Sequence, residues 1–327
     1  MNRFSRGRDT GARPANNLAG YGLAVCRFSA MFLAIASVTM MGCFSDPPKL
    51  KEFGPDAAVP AQVFCGALFC LEFFSPQSFS ELGADLGEPI GLEFREGRLL
   101  ALGDIDDGVI IEFELGNGNQ IGRVTATIDL DNDVGPEAPF PTGLSRHGNQ
   151  TVLGNLREGV STLLFIDWDA ARSSQSLNAT VFEAVIDDLG VSSGPEVVTV
   201  GAKGYVAVAD VQAEQVRLYD PAALASADKT SDLGVLSSSF STNAPINSMF
   251  YDTPSLMVIQ STAVGATLRV IDLTNSISMG QEIDRDVIEI DVGASLTAFH
   301  RIDRGRVALL GSQGVSLGRL VAPSSGR

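Results

Sequence analysis

From residue 89 onward the chain is made of short apolar runs separated by clusters of Gly, Asn, Asp and Ser, the pattern of strands and turns. One run that ends on an acidic residue recurs at 109–114, 163–167, 216–220 and 268–272, and its ends, Glu114, Asp167, Asp220 and Asp272, fall 53, 53 and 52 residues apart. A second apolar run precedes each of these, at 99–103, 151–154, 205–209 and 256–259, with another copy at 307–311. Ahead of each comes a third segment, opening at Pro89, Pro141, Pro195, Pro245 and Ala294. An Asp-(Leu/Val)-Gly mark at Asp85, Asp133, Asp188, Asp232 and Asp291 stands where an outer strand would pass the chain to the next repeat. Apart from the N-terminal segment, no stretch keeps helical periodicity over three turns.

Four short strands in a period of about fifty residues is the sequence form of a β-propeller blade. The pattern predicts an all-β propeller of about five four-stranded blades, with residues 61–77 available for a partial sixth. A β-sandwich would explain the strands but not the spacing. Residues 204–221, Gly-Tyr-Val-Ala-Val-Ala-Asp through Gln-Val-Arg-Leu-Tyr-Asp-Pro, resemble the inner strands of propeller families with WD-like or surface-layer-type repeats. That likeness runs over residues 80–322 and is one of pattern. The last repeat stops at three strands, and residues 79–87 resemble the outer strands of the others. The ring is therefore expected to close through an N-terminal strand at 79–87, which removes two exposed edges.

The N-terminal segment carries Arg3, Arg6, Arg8, Arg13 and Arg27, then an apolar run over 30–41, then Gly42 and Cys43. The run is too short to span a bilayer and suits the apolar core of a signal peptide. It resembles a bacterial lipoprotein signal, with Met40 where that signal usually has Leu. The resemblance implies cleavage before Cys43 and lipidation of that residue. It divides the chain into a signal peptide over 1–42, a tether over 43–60 and a propeller over 61–327. Phe44 in place of Asp implies sorting to the outer membrane, facing the periplasm or the cell surface, with the membrane reached through the lipid anchor.

Loss of residues 1–42 removes five arginines and one aspartate, leaving 18 basic and 38 acidic residues, a net charge near −20. An acidic chain of this kind excludes nucleic acid as a partner and electrostatic docking on anionic lipid. Of the four cysteines, Cys65 and Cys70 remain in the body of the protein, and an exported pair that close is expected to form a disulfide around a tight turn.

Candidate chemistry is sparse. Asp129, Asp131 and Asp133 alternate as in a calcium loop, where a hard cation needs several converging oxygens, although Val134 and Phe140 occupy positions where an EF-hand has Gly and Glu. The sequence Asp104-Ile105-Asp106-Asp107-Gly108 also reads as a hairpin turn. His147 and His300 both follow inner-strand segments, and no Gly-x-Ser-x-Gly elbow is present. Glu93, Glu196 and Asn247 fall in or beside inner strands, and Trp168 and Tyr219 lie on third-strand segments where aromatic residues fill space between blades. No residue is singled out as catalytic. The expectation is a non-catalytic binding or assembly scaffold with protein partners in the envelope. The alternative is an exported propeller enzyme of the calcium-dependent hydrolase or lactonase type, with carboxylates at the central channel.

Overall fold

The computed structural model describes residues 62–104, 108–116, 120–130, 140–157, 160–177, 180–186, 192–220, 230–232, 236–263, 265–303 and 305–323. They form a five-bladed β-propeller. The N-terminal hairpin is β1 (Gln62–Cys65) and β2 (Cys70–Phe73). Blade one is β3 (Pro89–Arg95), β4 (Arg98–Gly103), β5 (Val109–Leu115) and β6 (Ile121–Asp129). Blade two is β7 (Phe140–His147), β8 (Gln150–Arg157), β9 (Val160–Ile166) and β10 (Thr180–Ile186). Blade three is β11 (Ser192–Val200), β12 (Lys203–Asp210), β13 (Gln215–Tyr219) and β15 (Leu236–Ser241), with β14 (Thr230–Asp232) inserted before its last strand. Blade four is β16 (Ser248–Asp252), β17 (Ser255–Ser261), β18 (Gly265–Asp272) and β19 (Asp284–Asp291). Blade five is β20 (Leu296–Arg301), β21 (Arg306–Gly311) and β22 (Gly314–Val321), completed by β2 and then β1.

The ring closes at a different place from the one the pattern predicted. Residues 79–87 supply no strand. Phe79–Leu82 is a short helix, α1, opened by a capping box in which Ser78 accepts from the Glu81 N–H and Glu81 accepts from the Ser78 N–H. The closing strand is β2, whose Cys70 pairs with Val321 and whose Phe73 pairs with Gly318. β1 then adds to its outer edge, so residues 61–77 do not begin a sixth blade. Cys65 and Cys70 are joined by a disulfide across the β1–β2 hairpin. Its tip is held from blade four, where the Asp286 carboxylate accepts from the N–H groups of Ala67, Leu68 and Phe69 at 2.5, 2.8 and 3.0 Å. Gly66 lies against the same carboxylate, and a Cβ there would come within 2.2 Å of Asp286 Oδ1.

The core has five seams, each between neighbouring blades. Leu99 and Ala101 pack toward blade five while Leu100 and Leu102 pack toward blade two, so one strand is apolar on both faces. Continuous apolar runs follow from a sheet covered on both sides. The remaining seams join blades two and three, three and four, and four and five. Of the five clusters, the one between blades two and three is the smallest among the described residues.

The repeating acidic residues have local reasons. Asp167 and Asp272, at the ends of β9 and β18, accept from the N–H groups of Ala170 and Asn275. They thereby cap helices α2 (Trp168–Ser174) and α3 (Leu273–Met279). In the Asp-x-Gly marks, Asp85 and Asp291 accept from the N–H of Gly87 and Gly293, and both glycines adopt positive φ, 62° and 71°. These two marks stand between blades as expected. Asp232 does not: it ends β14, which pairs in parallel with β10 of blade two, and the chain then enters β15 of blade three. Asp133 and Asp188 lie outside the described residues.

Candidate functional site: the mouth of the central channel

The five first strands, β3, β7, β11, β16 and β20, contact one another in order, and β20 returns to β3. They line the axis of the ring. Each turns into the second strand of its blade through a hairpin, and these hairpins rim one end of the channel. In blade one the turn is Glu96-Gly97 with φ of 49° and 82°, the two-residue type in which both positions need positive φ. This turn fixes Arg95 opposite Arg98. In blade two, Gly148 with φ of 61° and Asn149 turn the chain between His147 and Gln150.

Polar side chains collect on these strands near the rim. Arg95 is buried and donates to Thr151 Oγ1 at 3.2 Å and to the Asn149 carbonyl at 2.6 Å, which ties blade one to the hairpin of blade two. Glu93, two residues earlier, has no solvent exposure, and neither of its carboxyl oxygens makes a hydrogen bond of good geometry, with the Thr151 hydroxyl close by as a weak donor. Burial pushes its pKa up to about 8, and the carboxyl of Glu196 adds to the rise, while the Thr151 hydroxyl and the charges of Arg95 and Arg146 oppose it. Glu93 is therefore a neutral acid at pH 7.

Glu196 bridges three blades. On β11 of blade three, it accepts from Ser145 Oγ of blade two at 3.0 Å and from the Tyr251 N–H of blade four at 3.3 Å. Part of the residue is exposed, yet burial of its carboxyl pushes the pKa up to about 8 against those two hydrogen bonds. Tyr251 donates its hydroxyl to the Thr199 carbonyl and so holds the rims of blades three and four together. In blade five, His300 is buried beside the Phe250 ring, 4.9 Å between centroids, with Nδ1 2.9 Å from the Arg301 carbonyl. Burial lowers its pKa to about 4, and the nearby Arg146 charge acts in the same direction. The ring is thus neutral, with Nδ1–H donating and Nε2 left as an acceptor.

His147 and Arg146, at the end of β7, are half-buried. His147 stands edge-on to Phe165 at 5.9 Å, and burial lowers its pKa. Arg146 donates through Nε to the Gly148 carbonyl at 2.7 Å and makes no ion pair among the described residues. Arg146, His147 and Glu196 line one cleft between blades two and three, with Val152, Phe165, Pro195 and Val206 as its apolar walls. It is shallow, about 10 Å³, room for little more than one water molecule.

The two histidines expected near inner strands thus lie on them, and at the mouth Glu196 acts on Glu93 while the charge of Arg146 reaches both Glu93 and His300. Asn247 belongs elsewhere: its Oδ1 accepts from the Ser261 N–H at 2.8 Å and its own N–H goes to the Ile259 carbonyl, a local clip ahead of β16. Trp168 is the first residue of α2 and packs in the seam between blades one and two, donating Nε1–H to Glu112 at 2.7 Å. Tyr219 packs in the seam between blades two and three. Arg146 and Arg95 went unread in the sequence, although Arg146-His147-Gly148-Asn149 marks a hairpin turn with two titratable or charged residues ahead of it. Asp129 ends β6 and is exposed, while Asp131 and Asp133 lie outside the described residues, as does Cys43. Among the described residues no group of three His, Cys, Asp or Glu side chains is placed to hold a metal ion.

No protein-family model and no curated protein sequence matches this chain. Among solved structures it is similar to a glutaminyl cyclase from Myxococcus xanthus, at 13% identity and a TM-score of 0.46 over 80% of this chain and 98% of that one. It is also similar to the Cps50 (Swd1) β-propeller domain of Myceliophteria thermophila, at 11% identity and a TM-score of 0.38 over 72% of this chain and 84% of that one. A third is BBS1N in complex with ARL6DN, at 12% identity and a TM-score of 0.31, covering 70% of this chain and 61% of that one. At these levels the role named for each protein stays with that protein.

Proposed function

We propose that the protein is a binding propeller of the bacterial cell envelope, anchored through a lipidated Cys43, which receives its ligand at the hairpin end of the central channel. The observation that carries the binding reading is Glu93, a fully buried carboxyl with no well-formed hydrogen bond on either oxygen, set among the polar groups of five neighbouring strands. A buried polar group left unpaired costs about 1–3 kcal/mol, and such groups persist where something else completes them. Among the described residues neither histidine hydrogen-bonds a hydroxyl that could serve as a nucleophile, which favours binding over acyl transfer. The anchor rests on the Gly42-Cys43 sequence and its arginine-flanked apolar run. No helix among the described residues is long and apolar enough to cross a membrane.

The test has two parts. Intact mass of the membrane-extracted protein should show lipid on Cys43, and Cys43→Ala should move the protein to the soluble fraction; an unlipidated mature start overturns the anchor. Capture of envelope components or small molecules by the intact protein should fail when Glu196→Gln and Arg146→Ala are combined. Capture that survives both changes overturns the channel mouth as the site.

A second reading has one observation in its favour. A carboxyl still protonated at pH 7 is the state a general acid needs, and Glu93 is in that state on β3, whose neighbour β20 carries the neutral imidazole of His300. In this reading the protein is an exported hydrolase, and calcium at Asp129, Asp131 and Asp133 would support it. Millimolar calcium should then raise the melting temperature by several degrees, and Asp131→Ala with Asp133→Ala should abolish the rise. No shift removes calcium from the proposal.

A further inference from the structure

We infer that a second pocket, at the end of the ring opposite the channel mouth, binds a small uncharged ring compound bearing a hydroxyl group, of the phenol or cyclic-alcohol class.

The pocket lies where blade five meets its closing hairpin. Antiparallel strands turn at alternate ends of a blade. The 311–314 turn between β21 and β22 therefore stands opposite the 301–306 turn on the channel rim. The lining comes from this turn, from the start of β1 and the end of β2, and from the link between blades four and five. Backbone bonds tie these walls together. The Ser312 N–H donates to the Ser295 carbonyl at 3.2 Å, and the Phe74 N–H donates to the Leu317 carbonyl at 3.2 Å. Gln77 and Val315 exchange N–H bonds at 2.9 and 3.0 Å. A Cβ on Gly311 would come within 2.5 Å of the Ser295 carbonyl oxygen, so only glycine lets the turn and the link approach this closely. A pocket bounded in this way needs little ordering when a ligand enters.

Size and lining restrict the ligand. The volume is about 120 Å³, against about 150 Å³ for an apolar protein cavity that holds benzene, which fits one small ring. Phe73, Pro76, Val292 and Leu296 supply apolar surface, and no residue of the lining is charged. An ionic ligand would lose hydration there and meet no opposite charge, so the ligand is uncharged.

Ser316 adds the hydroxyl requirement. It lines the pocket and is 3% exposed. On β22 it alternates with Val315 and Leu317, which pack toward blade one, and so shares the opposite face with Leu320, on the side of Phe73. Its hydroxyl makes no hydrogen bond with any described residue, and the pocket is the space it faces. A ring hydroxyl would complete it as donor or acceptor, whereas a hydrocarbon ring of the same size would leave it unpaired.

The experiment is a ligand-observed NMR titration of the full-length protein with phenol, toluene and benzoate. Phenol should bind with a millimolar or lower Kd. Toluene, the same shape without the hydroxyl, should bind ~3- to 10-fold more weakly, and benzoate should not bind over that range. Ser316→Ala should weaken phenol by a similar factor and leave toluene unchanged. Ala294→Trp, at a half-buried position of the lining, should fill the pocket and abolish binding of both, with a melting temperature near that of the parent. Toluene binding as tightly as phenol overturns the hydroxyl-bearing class. Phenol binding that survives Ala294→Trp lies elsewhere and overturns the inference, as does the absence of any phenol binding. The capture experiment at the channel mouth uses other residues, so either reading can fail alone.

Discussion

Blade one contains two glutamates that solvent does not reach, Glu93 on its first strand and Glu112 on its third, and they live in opposite circumstances. Glu112 is fully engaged. Trp168 Nε1 and Thr125 Oγ1 donate to it at 2.7 and 2.6 Å, and Arg172 and Arg98 lie at 3.0 and 3.6 Å. Trp168 and Arg172 come from α2 of blade two, so this carboxylate fastens one blade to the next. Glu93 sits in the same interface, nearer the axis, with no well-formed hydrogen bond on either oxygen. A buried acid completed by its own fold is a joint. A buried acid left incomplete at the mouth of a channel is an opening for chemistry from outside.

The largest effect should come from breaking the joint. Glu112→Ala leaves two arginines and an indole N–H facing an apolar gap, and should cost about 2–4 kcal/mol, lowering the melting temperature by roughly 5–15 °C in a thermal scan. Next comes Asp286, a third acidic residue of the engaged kind, which holds the tip of the closing hairpin through three N–H groups. Asp286→Ala should cost about 1–3 kcal/mol by urea titration, with proteolysis between residues 62 and 77 rising sooner than elsewhere.

A smaller, pH-dependent effect separates the two kinds of acid further. Glu93 and Glu196 have folded pKa values near 8, above the unfolded value of 4.5, so the folded state holds more protons between those limits. Their contribution is fully present below pH 4.5 and is lost as pH rises through 8. His300, lowered to about 4 from 6.5, works the other way: its contribution is present above 6.5 and is lost as pH falls through 4. Stability measured by chemical denaturation should therefore decline from neutral pH toward pH 9, and Glu93→Met should flatten part of that decline. The smallest effect is that same substitution at pH 7, expected within about 1 kcal/mol of the parent and on the stabilising side. A loss as large as that from Glu112→Ala would show that Glu93 is another joint.

How much of this was legible in the sequence can be argued from particular residues. The blade count was, because each blade is covered on both sides and needs continuous apolar runs, and because Asp167 and Asp272 recur at helix N-caps that the fold reuses. Closure was misplaced by its residues, not in its principle. Residues 79–87 carry apolar positions much like an outer strand, but Ser78-Phe79-Ser80-Glu81 spells a capping box, and that local signal for a helix was the one to heed. The site was legible only as a set of candidates. Glu93 and Glu112 both sit in apolar strands, and nothing near either in sequence separates them. Much of their difference is made by residues more than fifty positions away, Trp168 and Arg172 joining Thr125 and Arg98 at Glu112 while Glu93 gains no well-formed hydrogen bond. Arg146 escaped notice for the same reason, since its meaning depends on Glu196 across the seam.

The pairing of β2 with β22 has a consequence for how the protein comes into being. Cys70 meets Val321, so nearly all of the described chain is made between the two halves of one seam. A chain synthesised from its N-terminus delivers β1 and β2 first and β22 last. Until β22 arrives, the early hairpin waits with an unpaired apolar edge formed by Leu71 and Phe73, a template for wrong partners. A propeller closed in this way is completed after synthesis has passed its final blade, and the interval before closure is when it most needs protection from its neighbours.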